Sequence, residues 1–199
     1  TITSTSTISS HSFGKSHREY ASQLLDDEIV MLAAVHQNGL ALKHASDELK
    51  NSPKVVEAAV WRAPMALEYA SEELRSDLSI VLTAVKEDGA ALEHASGALR
   101  NDARVVIPAI TQNYRALEYA SEDLKNDATV VLAAVQQNYA SLEYASEELK
   151  TSNEEIAIAA VSQNYRALDY LSEELRTNNK PIRIAAVRQN YYALHDAPE

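Results

Sequence analysis

The sequence predicts an all-α fold, an α-solenoid with a right-handed superhelix of about seven two-helix repeats of 25–26 residues. Three observations predict it. A phrase close to Ala-Leu-Glu-Tyr-Ala-Ser returns at nearly constant spacing, polar caps divide each copy into two helical stretches, and the second stretch is almost wholly apolar. The leucine of the phrase marks the period, and its copies are Leu42, Leu67, Leu92, Leu117, Leu142, Leu168 and Leu194.

The first helix of a repeat is predicted over residues 116–125 in one unit. Leu117, Ala120 and Leu124 fall at offsets 0, 3 and 7, which places them on one face of an α-helix. Lys125 closes the stretch, where a cation favours the negative end of the helix dipole. Small pairs such as Ala120 and Ser121 are expected to let neighbouring helices approach closely.

The second helix follows a two-residue break. Its predicted N-caps are Asp77, Asp102 and Asp127, with Ser52 before Pro53 as the equivalent pair. The run VVLAAV at 130–135 is apolar all round, so neighbouring units must cover it. Pro108 is predicted to kink its helix. The residues expected to end these helices in the left-handed conformation are Asn38, Asp88, Asn113, Asn138, Asn164 and Asn190.

The domain organisation follows from composition. Residues 1–15 begin with the Ser/Thr-rich run TITSTSTISSHS, which predicts a disordered tail, and residues 16–199 are predicted to form one α-solenoid domain. The first residue is Thr1, so we expect the chain to be part of a longer protein. Cysteine is absent, which excludes disulfides, thiolate nucleophiles and cysteine metal sites and fits a cytoplasmic, intracellular location.

The repeat phrase resembles a known family. The copies LEYASEELK and VVLAAVQQN are similar to the helical-repeat family catalogued as domain of unknown function 4116, and the resemblance covers about residues 19–197. It implies a helical array. For some members it also implies an effector that intracellular bacteria deliver into host cells, so the host cytoplasm becomes an expected location. The resemblance brings no catalytic residues with it.

Aromatic side chains form the first candidate binding surface. One ring per repeat follows the leucine by two positions, which turns it about 200° away from the leucine stripe. Tyrosine supplies much contact area at low entropic cost, so this column predicts a ridge for a protein or peptide. Alternatively, each ring packs on the adjacent helix. The residues of the column are Tyr69, His94, Tyr119, Tyr144 and Tyr170, with His44 in an earlier unit.

A second candidate is the departure WRAPM at 61–65, where other units carry Gln-Asn-Tyr or Gln-Asn-Gly. Trp61 is the only tryptophan, and an exposed pair of Trp61 and Met65 at a rebuilt turn would be an anchor for a partner. The alternative is a local repair of packing.

Charge limits the partners. The chain carries 18 basic and 29 acidic residues, a net of −11, which favours a basic protein or peptide and disfavours nucleic acid. The longest strongly apolar run is far shorter than the ~20 residues of a membrane span. No catalytic, phosphate-binding or metal motif is present, and no cofactor is expected. The sequence therefore predicts a non-catalytic binding scaffold, with a passive spacer, or an accessory segment of an enzyme, as alternatives; the oligomeric state is open.

Overall fold

A computed structural model describes residues 26–190, and every regular element in that range is helical. The predicted all-α repeat solenoid is confirmed. The predicted tail at 1–15 and Leu194 lie outside the described residues. The handedness of the superhelix stays a prediction.

Each unit contains a 3₁₀-helix, a short α-helix and a long α-helix, in that order. The long α-helices are α1 (Glu28–Gln37), α3 (Pro53–Arg62), α5 (Leu78–Glu87), α7 (Ala103–Gln112), α9 (Ala128–Gln137), α11 (Glu154–Gln163) and α13 (Lys180–Gln189). The short ones are α2 (Asp47–Lys50), α4 (Glu72–Arg75), α6 (Gly97–Arg100), α8 (Glu122–Lys125), α10 (Glu147–Ser152) and α12 (Glu173–Asn178). The 3₁₀-helices are η1 (Gly39–His44), η2 (Pro64–Tyr69), η3 (Gly89–His94), η4 (Tyr114–Tyr119), η5 (Tyr139–Tyr144) and η6 (Tyr165–Tyr170).

The first predicted helix is therefore wrong in detail, because it is divided in two. Ala120 is extended, with φ −65° and ψ 159°, and Ser121 caps the short helix by accepting a hydrogen bond from the Leu124 N–H. Serine is a favoured N-cap residue because its hydroxyl accepts a hydrogen bond from an otherwise unpaired N–H of the first turn. Ala120 thus ends one helix and Ser121 starts the next, and the close approach expected at this pair stays a prediction.

The long helices begin as predicted. The carboxylates of Asp77 and Asp127 each accept two backbone N–H groups of the first turn, and Asp102 accepts that of Arg104. Ser52 is also an N-cap, but its side chain makes no capping bond, and Pro53 needs none at the next position.

The ends of the long helices differ from the prediction. Asn113 has φ −148° and ψ 110°, which is extended and not left-handed backbone. Its side chain instead accepts the Arg115 N–H and caps the following 3₁₀-helix. Asn113 is a capping residue, as predicted, but it caps the start of the following 3₁₀-helix and not the end of the preceding α-helix. The same extended conformation occurs at Asn38, Asp88, Asn138, Asn164 and Asn190.

The core lies between the long helices and the 3₁₀-helices, and each layer packs on its counterpart in the next unit. Helix α7 shows the pattern, since Val105, Val106, Ala109 and Ile110 are all 0–1 % exposed. A ten-residue helix is marginal alone, whereas burying each valine contributes roughly 1.5–3 kcal/mol. Neighbouring units are therefore the source of each helix's stability.

Backbone hydrogen bonds join consecutive units along the short helices. In each case the N–H of the N-capping serine donates to the carbonyl of the lysine or arginine in the preceding short helix. Both groups would otherwise be unpaired helix ends, so one bond satisfies two polar groups. The pairs are Ser71–Lys50, Ser96–Arg75, Ser121–Arg100, Ser146–Lys125 and Ser172–Lys150, at 2.9–3.3 Å between N and O.

Glutamines near the ends of long helices form a second link between units. The Gln112 side-chain oxygen accepts the Gly89 N–H at 2.6 Å, and its Nε2 donates to the Glu87 carbonyl at 3.1 Å. Gln163 bridges in the same way to the Tyr139 N–H and the Val135 carbonyl. Each amide thereby fixes the lateral position of one long helix against the preceding unit.

Helix α7 runs from Ala103 to Gln112 through Pro108 without interruption. The proline does not break the helix, and the predicted kink stays a prediction.

We expect two glycines of one unit to respond oppositely to alanine. A Cβ at Gly89 would overlap the carbonyl oxygen of Ala109 in the next unit, whereas a Cβ at Gly97 would meet no atom of the described part of the chain within 4 Å. Gly89→Ala should lower the free energy of unfolding by about 1–3 kcal/mol. Gly97→Ala should raise it by about 0.4–1 kcal/mol. Urea unfolding followed by circular dichroism measures both, and equal effects would contradict the close approach at Gly89.

We expect the hydroxyl of Ser141 to lower the free energy of unfolding. Ser141 is fully buried, its hydroxyl has no hydrogen-bond partner among residues 26–190, and the equivalent residue of the preceding unit is Ala116. Ser141→Ala should raise the free energy of unfolding by about 1 kcal/mol, because an unpaired buried hydroxyl is removed. The mirror variant Ala116→Ser should lower it by a similar amount. A destabilised Ser141→Ala protein would show that the hydroxyl has a partner.

Candidate functional site: the ladder face

The predicted aromatic column exists and ends the 3₁₀-helices. Tyr69, Tyr119, Tyr144 and Tyr170 are the last residues of η2, η4, η5 and η6, and all are half-buried and packed against the core. Part of each ring therefore supports packing, and the remainder faces solvent. The packing alternative is thus met in part, and the ridge for a protein or peptide stays a prediction.

An acidic residue precedes each ring of the column and is exposed. We name this surface the ladder face. It consists of the aromatic column and these acids: Glu68, Glu93, Glu118, Glu143 and Asp169. The pattern was visible in the sequence, since every Tyr or His of the column except His44 follows a Glu or Asp. The sequence places the column among acidic residues, but it does not show which acid lies beside which ring.

The acids of one unit lie beside the tyrosines of the next. Burial first, and then the charge of Glu93, raises the pKa of Tyr119. Burial followed by the charges of Glu143 and Glu118 raises the pKa of Tyr144. Because Glu93 and Tyr119 belong to consecutive units, rings and carboxylates alternate along the array.

Arg115 lies next to the ladder face. The Arg115 Nε donates to the Tyr114 hydroxyl at 3.4 Å, and its guanidinium carbon lies 5.9 Å from the Tyr114 ring centroid. The Tyr114 hydroxyl, followed by Tyr144 and Glu143, raises the pKa of Arg115. The guanidinium of Arg115 thus lies beside the Tyr114 ring, next to the ladder face.

Histidines replace tyrosine in two units of the column. His94 is half-buried, and its Nε2 is buried without a hydrogen-bond partner in the described structure. His44 is exposed at the end of η1. We call the column residue of one unit, together with the residue before it, a rung. The two histidine rungs thus differ from each other, and the tyrosine rungs from Tyr119 to Tyr170 form the regular part of the face.

The second candidate, Trp61 with Met65, lies on different elements. Trp61 is 72 % exposed near the end of α3, and Met65 is half-buried in η2. The turn between them is not rebuilt, because Ala63 has φ −149° and ψ 100°, close to the values of Asn113. Pro64 begins η2 without needing a capping bond. A joint anchor of Trp61 and Met65 stays a prediction.

Residues 26–190 contain no group of three or more His, Asp or Glu side chains placed to hold a metal ion. Within the same range, each helix is too short or too polar to span a lipid bilayer.

Six segments of the chain match the family described as Domain of unknown function (DUF4116), at residues 16–50, 26–75, 62–100, 77–125, 102–150 and 153–199. The chain belongs to this family. The resemblance carried by the repeat phrase is thus confirmed. No curated protein and no solved structure matches the chain. DUF4116 is a family of unknown function, so any function has to be argued from the surface of this array.

We expect the pKa of Tyr119 to report the alternation of rings and acids. Removing the charge of the neighbouring carboxylate with Glu93→Gln should lower this pKa, because ionised tyrosine is then less repelled. NMR titration with ring-labelled tyrosine measures it, with Tyr119→Phe assigning the signal. The matched control is Glu57→Gln on the long-helix layer. An unchanged Tyr119 pKa in Glu93→Gln would contradict the contact between the units.

Proposed function

We propose that the chain is a non-catalytic scaffold that binds a basic protein or peptide on the ladder face, in the cytoplasm. The observation that supports this most is the alternation of half-buried tyrosines with exposed carboxylates across consecutive units. Tyrosine gives a rigid, amphipathic contact, and the acids attract cations and repel anions. Nucleic acid is a poor fit to such a surface because phosphate contacts need clustered Lys and Arg.

The rigid links between units support a competing proposal, a passive spacer. A spacer needs the hydrogen-bonded short helices but gives the ladder face no role. An accessory role beside a catalytic domain also leaves the array itself non-catalytic. An effector role in a host cell is a further part of the proposal that rests on the family resemblance alone.

Selection from a phage-displayed library of random peptides tests the binding function. The intact chain should enrich peptides rich in Arg and Lys. The variant Glu93→Gln/Glu118→Gln/Glu143→Gln keeps the rings and changes only exposed positions, so it should fold and lose about tenfold or more in affinity for the selected peptides. A second variant, Tyr119→Ala/Tyr144→Ala/Tyr170→Ala, tests the rings once its melting curve shows a folded array.

Trp61→Ala serves as the comparison for the other candidate surface. Enrichment that survives both ladder variants and is lost in Trp61→Ala would overturn the proposal in favour of the Trp61 surface. No enrichment by the intact chain would favour the spacer.

A further inference from the structure

The ladder face repeats at the pitch of the array. Consecutive 3₁₀-helices contact each other from η1 to η6, so one rung of the face belongs to each unit. Neighbouring packed helices lie about 8–10 Å apart. A linear ligand that uses several rungs must therefore present its binding groups at about this spacing.

Three consecutive rungs have the same composition. In each, an exposed carboxylate and the half-buried tyrosine of the next unit belong to 3₁₀-helices that contact each other, and after burial the charge of that carboxylate contributes to the raised pKa of the tyrosine. The pairs are Glu93/Tyr119, Glu118/Tyr144 and Glu143/Tyr170. A carboxylate next to an aromatic ring suits a cation, which gains an ion pair and a cation–π contact together.

Arg115 indicates which cation fits. Its guanidinium carbon lies 5.9 Å from the Tyr114 ring centroid, and the Tyr114 hydroxyl, followed by Tyr144 and Glu143 of the next unit, raises the pKa of Arg115. A planar guanidinium is therefore accommodated next to the ladder face. Arg115 and Arg166 are exposed second residues of η4 and η6, so two cations accompany the five acids of the ladder face. This surface stays negative and complementary to a basic ligand.

The spacing selects the conformation of the ligand. A polyproline II helix has three residues per turn and rises about 3.1 Å per residue, so every third side chain lies on one side at intervals of about 9 Å. A β-strand brings every second side chain to one side at intervals of about 6.8 Å, which is shorter than the spacing of the rungs. Only the polyproline II form matches one side chain to each rung in steps of three residues.

We infer that the ladder face binds an extended peptide in polyproline II conformation that carries arginine at every third position, one arginine to each Glu–Tyr pair of consecutive units. This inference rests on the proposed peptide-binding function and adds the register and conformation of the ligand. The peptide runs along the array and crosses the rungs from Tyr119 to Tyr170.

Fluorescence anisotropy with labelled peptides tests the register. The probe is a peptide of four Arg-Pro-Pro triplets, and the matched control has the same composition with its four arginines adjacent and flanked by proline. The periodic peptide should bind at least about tenfold more tightly, because only its arginines meet successive rungs. Equal affinities would overturn the inferred register and leave the binding function standing, since both peptides would then bind.

Two charge-matched variants locate the binding. Glu93→Gln/Glu118→Gln/Glu143→Gln should weaken the periodic peptide by about tenfold or more and abolish its advantage over the control peptide. The comparison variant Glu57→Gln/Asp123→Asn/Glu155→Gln removes three exposed acids elsewhere and should leave the advantage intact. Equal losses in the two variants would mean that net charge alone attracts the peptide, which overturns the inference. If neither peptide binds while library selection still enriches other sequences, the inference fails alone; if selection also fails, the proposed function fails with it.

Discussion

Lateral burial of the long helices is the constraint on which the rest of the structure depends. A helix such as α9 carries Val130, Val131, Ala134 and Val135, all nearly or completely inaccessible to solvent. Ten residues cannot hold a helix in water by their own hydrogen bonds, and one neighbour cannot cover a helix that is apolar on several sides. Stability therefore belongs to the stack of units, and each interface depends on the next.

Apolar contact alone does not define where one unit lies against another, because valine and alanine surfaces can slide. Directional polar bonds supply that position. The Ser121 N–H reaches the Arg100 carbonyl at one side of each unit, and glutamines such as Gln112 reach the preceding unit at the other. Both links use groups that helix ends leave unpaired, so the requirement to satisfy the backbone also fixes the register between units.

The repeat, the long helices and their aspartate caps could be predicted from the sequence, because period and capping chemistry are local properties. The division of the first helix could not be predicted from the sequence. Ala120 and Ser121 are compatible with a continuous helix and equally compatible with a helix cap. The conformation of Asn113 was ambiguous for the same reason: one side chain can close a helix or open the next. The contact of Glu93 with Tyr119 depends on the lateral offset between units, which no periodicity reveals.

The choice of tyrosine in the column is informative about function. The rings pack partly on the core, and for that purpose phenylalanine would serve as well without a polar group to satisfy. Yet the chain contains 10 tyrosines and one phenylalanine. Burial, followed by the charges of the exposed residues Glu143 and Glu118, raises the pKa of the Tyr144 hydroxyl, so this hydroxyl belongs to an acidic part of the surface. Packing accounts for the rings but not for their hydroxyls, and a surface of hydroxyls and carboxylates is the kind that the proposed cationic ligand would bind.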